Sequence, residues 1–250
     1  MNVTLDTAVL AAFVAFCRVG GCFLMMPGLS SVRIPVMVRL FVAVAATFAL
    51  LLHMWDQIVP AVDRRPAVLL PMIASELLIG VLIGLLTRVY ILALQFIASA
   101  IAMMIGYGGM LGGAVEDSEP QAPLASIISF SALLLLFVFD FHHEIVRALV
   151  NSYKVAPVSG IFNVQTALVD LTDGLSEAFF IMLRLGSPFL AYAIIVNLAI
   201  GFINKLTPQI PVYFISLPFV LAGGLLIMYL AIPVMLGLIA DGFVEATLSR

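Results

Sequence analysis

Charge is the first thing this chain lacks. Only 10% of its 250 residues are Asp, Glu, Lys or Arg, against roughly 25% in an average soluble domain. The 11 basic residues are scattered, with only Arg64 and Arg65 adjacent, so there is no patch that would hold nucleic acid. Cysteine is scarcer still. Cys17 and Cys22 share one apolar run, a pattern that excludes a disulfide framework and a thiolate metal centre and fits small buried thiols. Of the 3 histidines, His142 and His143 are adjacent and precede Glu144. Metal-binding helices place histidines at i and i+4 so that they share a face. Adjacent ones are expected to diverge, so no metal site is assigned and the segment reads as the polar start of an interfacial helix. Ser30, Ser31, Ser75 and Ser187 have no His and acid at a recognisable triad spacing. The glycines at 106, 108, 109, 112 and 113 lack the Lys and Ser/Thr of a phosphate loop. No catalytic residue, no cofactor and no solenoid repeat is read.

What the chain has is apolar length. Hydrophobic residues make up 64% of it, and its mean hydropathy is +1.22. No soluble packing of 250 residues hides that much apolar surface. Seven apolar runs stand out, over 8–26, 36–54, 68–86, 89–105, 124–139, 178–203 and 212–240, each near the length of about 20 residues that a spanning helix needs. The expected fold is all-α: a polytopic integral membrane protein of six to seven long, kinked apolar helices arranged as hairpins. The first run carries Asp6 and no basic residue at its amino end, so it is read as a retained helix rather than a secretory signal. Only Thr87 and Arg88 separate the third and fourth runs, which leaves one bent helix or a tight hairpin open. Pro188, Pro218 and Pro233 fall inside the last two runs and are expected to kink or break them.

Two charges lie deep in these runs: Arg18 in the first and Glu76 in the third. A charge at the centre of a span costs about 2.5–3.5 kcal/mol on translocon scales. It is tolerated when it faces protein, a partner subunit or water, and Arg18 and Glu76 also suit one another as a pair. Gln95, Arg184, Asn197 and Asn204 are further polar residues in or near spans, of the kind that holds helices together. Two connectors are long. Residues 106–123 read GYGGMLGGAVEDSEPQAP, too polar for a span. Gly106, Gly108, Gly109, Gly112 and Gly113 confer backbone freedom there. Met110, with Met103 and Met104 beside the loop, can seal an irregular gap. The second connector, 140–177, contains an amphipathic part at 144–153.

Taken in order, these residues resemble the R-subunit (FliR) family of the flagellar type III export gate, which has injectisome counterparts. The resemblance runs through Arg18, Pro27, Pro35 and Arg39; Glu76, Gly80 and Gly84; Gln95 and the glycine-rich stretch; His142, Ser152-Tyr153 and Pro157; Ser187-Pro188, Asn197, Gly201 and Asn204; and Pro208-Gln209 with Pro218. The sequence departs from the pattern at Pro211 and at Asp140-Phe141. The resemblance implies one export-gate membrane domain over 1–250, its amino half (about 1–123) P-subunit-like and its carboxyl half (about 124–250) Q-subunit-like. It implies no enzymatic activity. It implies partnership with the P and Q subunits, with other membrane proteins of the export apparatus and with exported unfolded proteins, in the bacterial inner membrane at the flagellar basal body. The loop glycines and Met110 would form a pore plug, with Met103 and Met104 as gasket. The competing reading is a proton- or ion-coupled secondary transporter of a small solute, with Glu76 as its ion site.

Overall fold

The computed structural model describes residues 5–31, 34–107, 123–158 and 162–248, and every regular element among them is helical. Helix α1 is Leu5–Met25, α2 Val36–Ile58 with a 3-10 turn at Val59–Ala61, and α3 Pro66–Met104. Then come α4 Pro123–Val138, α5 Phe141–Val155, α6 Val164–Leu206 and α7 Val212–Leu248. By length and composition α1, α2, α3, α6 and α7 can each cross a bilayer, whereas α4 is a shorter apolar helix.

The third and fourth apolar runs form one helix of 39 residues. Neither Thr87 nor Arg88 is a helix breaker, and the Thr87 hydroxyl donates to the Gly84 carbonyl at 2.7 Å, inside the helix. Pro71, Pro188, Pro218 and Pro233 lie within α3, α6 and α7, and none of them ends its helix. In an apolar medium a break would orphan several backbone groups, which is worse than losing one donor. Helix α6 begins well before its apolar run, because Asn163 caps it. The Asn163 side-chain oxygen accepts from the backbone N–H groups of Gln165 at 3.0 Å and Thr166 at 3.3 Å. At the other extreme, α3 stops at Gly106. With φ at 83°, this glycine sends its N–H to the Met103 carbonyl and lets Tyr107 N–H reach Ala102, a paired closure that satisfies the last carbonyls of the helix.

The chain divides into two compact units, each built from separated stretches. The first comprises Met1–Tyr90, Asp140–Leu175 and Thr247–Arg250. Its core joins Ala11, Val14 and Ala15 of α1 to Leu51, Met54 and Ile58 of α2, Met72 of α3 and Tyr153 of α5. Helix α5 presents Phe141, Ile145, Leu149 and Tyr153 to the interior, a four-residue spacing that lines one helical face. The second unit comprises Ile91–Phe139 and Ser176–Ala246. There Ile97, Ile101 and Ile105 of α3 are buried with Leu185 and Phe189 of α6, and Tyr192 of α6 donates its hydroxyl to the Val220 carbonyl of α7 at 2.7 Å.

The approach of α1 to α3 rests on glycine. A Cβ at Gly80 would stand 2.0 Å from the Arg18 carbonyl oxygen, and one at Gly84 would stand 2.4 Å from that of Cys22. Both obstacles are backbone and cannot swing aside. The two glycines are four residues apart on one face, the spacing that lets helices in lipid touch backbone to backbone. Gly80→Ala is therefore expected to destabilise the protein by about 1–3 kcal/mol, the usual range for overpacking. Gly201→Ala, whose Cβ meets nothing within 4 Å, is expected to be neutral. Thermal unfolding in mild detergent reads both, and equal melting of the two variants would contradict the close contact.

Candidate functional site: a sealed arginine–glutamate node

Arg18 and Glu76 meet in the interior of the first unit, each at 0% exposure. Arg18 Nε donates to Glu76 Oε2 at 2.7 Å, and a terminal nitrogen donates to Oε1 at 2.6 Å. This two-pronged pairing is the strongest that a guanidinium makes with a carboxylate. The remaining terminal nitrogen donates to Ser152 Oγ at 2.9 Å, and the first donates again to the Ala156 carbonyl at 2.8 Å. Four of the five N–H bonds are thus used. The guanidinium carbon also lies 3.8 Å from the centre of the Tyr153 ring, where the negative face of the ring attracts it.

Local structure supplies these partners for a reason. Ala156 is the C-cap of α5, and the last carbonyls of a helix have no acceptor role left within it. They also form the negative end of the helix dipole, which favours a cation. Ser152 relays the contact, passing its own proton to the Leu149 carbonyl at 2.7 Å. The Tyr153 hydroxyl is enclosed beside the Glu76 carboxylate but meets no partner at bonding geometry. Burial pushes this phenol above its usual range, so it stays neutral. Next to the node a cleft of about 530 Å³ opens over Ile79, Leu82 and Ile83, with Ser152 and Ala156 on its wall and Asn151 and Asp170 at its rim.

Among the sequence-assigned residues, the structure joins Arg18 to Glu76, the pairing that their opposite charges suit. Gln95 is buried at 8% exposure, whereas Arg184, Asn197 and Asn204 are exposed. Asn197 turns its amide back to the Ala193 carbonyl. Met103 is exposed at 68% and Met104 half-buried. Gly106 closes α3, while Gly108, Gly109, Met110, Gly112 and Gly113 lie outside the described residues. Sequence reasoning missed the roles of Ser152, Tyr153 and Ala156. The amphipathic period of α5 announces a buried face there, but nothing in it says which buried group would face a cation. His142 and His143, expected to diverge, bring their rings to 4.1 Å.

The family model described as "Bacterial export proteins, family 1" matches residues 9–246. The flagellar biosynthetic protein FliR of Caulobacter vibrioides is 25% identical over 90% of this chain and 89% of its own length. That of Escherichia coli is 27% identical over 83% and 78%, and that of Aquifex aeolicus 25% identical over 93% and 89%.

Removing one member of a buried ion pair leaves the other uncompensated, at about 3–5 kcal/mol, whereas an apolar replacement of both can be close to neutral. Arg18→Met and Glu76→Leu are each expected to lower the melting temperature and the yield of folded protein. The double variant is expected to recover part of the loss. Additive losses would mean that the two groups are not coupled. Tyr153→Phe is expected to melt within a degree or two of the parent, because the ring and not the hydroxyl meets Arg18. Tyr153→Leu is expected to melt clearly lower; equal effects of the two would contradict the stacked cation.

Proposed function

We propose that this chain, which belongs to the bacterial export proteins, family 1, is a structural subunit of the flagellar protein-export apparatus. It is a multi-pass protein of the bacterial inner membrane, where it helps to form and close the pore that passes unfolded flagellar proteins. The observation that carries this reading is the family match, which extends over nearly the whole chain, together with relatives of the same length named for flagellar biosynthesis.

The geometry supports a structural rather than a carrier role. A proton- or ion-coupled transporter needs an intramembrane acid that water or substrate can reach. Glu76 is sealed at 0% exposure under a two-pronged arginine, which suits a lock and not a loading site. The apolar faces of α2, α6 and α7 are barely covered by this chain: only 17%, 22% and 11% of their apolar windows are buried, against 50% for α1. Lipid covers part of that surface. The P and Q subunits of the gate, and other membrane proteins of the export apparatus, cover the rest, with Arg184, Asn197 and Asn204 as polar contacts on the uncovered helices. In this arrangement the amino half (about 1–123) takes a P-like place and the carboxyl half (about 124–250) a Q-like one.

A resting export pore must not leak ions, so a filler is needed that can also withdraw. The loop that begins at Gly106, with Gly108, Gly109, Met110, Gly112 and Gly113, has the composition for it, and Met103 and Met104 stand at its entrance as a gasket. Deletion of residues 108–113 is expected to raise ion conductance of the assembled complex severalfold while leaving its composition unchanged. Conductance that stays at the closed level would reduce the loop to a connector. Deletion of the whole chain is expected to abolish secretion of flagellar proteins; normal secretion would overturn the reading.

A further inference from the structure

The first turn of α5 brings together three donors that the export role leaves unexplained. His143 Nδ1 lies 3.4 Å and His142 Nε2 3.8 Å from the same carboxylate oxygen of Asp140. The three donor atoms all fall within 4.8 Å of one another. A tetrahedral zinc site, with bonds of about 2.0–2.1 Å to nitrogen and oxygen, separates its donors by about 3.3–3.5 Å. The two separations to Asp140 lie at or somewhat above that spacing, and no pair of donors is more than 4.8 Å apart. The backbone arranges the cluster. Asp140 stands at the N-cap of α5 with φ at 58° and ψ at 26°, and its side chain makes no capping bond to the helix. An aspartate in that position ordinarily caps; here the left-handed turn carries the carboxylate to the imidazoles instead. The rings meet at 4.1 Å with a 40° tilt, so two helical neighbours serve one point.

We propose that Asp140, His142 and His143 form a binding site for a transition-metal dication of the zinc class. The two imidazoles are borderline donors that favour Zn²⁺ or Ni²⁺ over Mg²⁺ or Ca²⁺, and the carboxylate completes the set. The Asp140 and His143 side chains are 72% and 65% exposed, so an ion enters from solvent and keeps a position for water or a further ligand. The two thiols do not compete, because Cys17 and Cys22 are buried, and His53 is the only other histidine in the chain. The bound ion would pin the start of α5, the helix whose far end receives Arg18.

The test uses the full chain in its detergent-solubilised assembly, purified through a tag without histidine and stripped with chelator. Zn²⁺ is titrated in competition with a chromogenic chelator, for the parent and for His143→Ala, Asp140→Asn and His53→Ala. The parent is expected to bind one more Zn²⁺ per copy of this chain than His143→Ala. Asp140→Asn is expected to bind at least tenfold more weakly at this site, and His53→Ala is expected to match the parent. His143→Gln replaces His143→Ala in the same comparison if the alanine form fails to assemble. Equal Zn²⁺ binding by the parent and the His143 variant overturns the proposal. So does a site lost with His53 and kept without His143.

Discussion

The first unit depends on one constraint: a guanidinium inside an apolar helix must find enough partners to stay there. Arg18 finds them on two other helices. Glu76 of α3 supplies the countercharge, and Ser152 and the Ala156 carbonyl at the end of α5 take two further N–H bonds. Tyr153 covers the flat face. A single residue of α1 therefore sets where α3 and the carboxyl end of α5 sit.

That demand propagates into packing. A two-pronged contact between α1 and α3 requires the helices to lie close, which is why Gly80 and Gly84 stand where any side chain would strike the backbone of α1. Burial of the apolar helices by their own chain is uneven. Half of the apolar window of α1 is buried by this chain, whereas α2, α6 and α7 leave most of theirs uncovered.

Much of this was legible in the sequence, and the reasons differ by residue. Apolar runs longer than about 17 residues have few alternatives to helix, so the all-α membrane architecture followed from composition. The charges at Arg18 and Glu76 stood out because lipid makes each expensive, and their opposite signs suggested a pair. Less was legible where local and tertiary signals compete. Thr87-Arg88 left one bent helix or a tight hairpin open, and the structure has a single helix there, because neither residue stops a helix. The prolines of α6 and α7 were expected to kink or break their helices, and both helices run on through them, since an apolar medium penalises a break more than a missing bond. The convergence of His142 with His143 depends on the left-handed turn at Asp140, a backbone state that side-chain spacing does not encode. The Ser152 and Ala156 contacts depend on the end of α5 reaching α1 across more than a hundred residues of sequence.

An electron cryomicroscopy map of the assembled export complex containing this chain is the most direct test of the central claim. The account predicts continuous density from Arg18 to Glu76, with the guanidinium on the Tyr153 ring and within hydrogen-bond distance of Ser152 and the Ala156 carbonyl. An Arg18 directed at another subunit, or a Glu76 facing a water-filled pore, would contradict it.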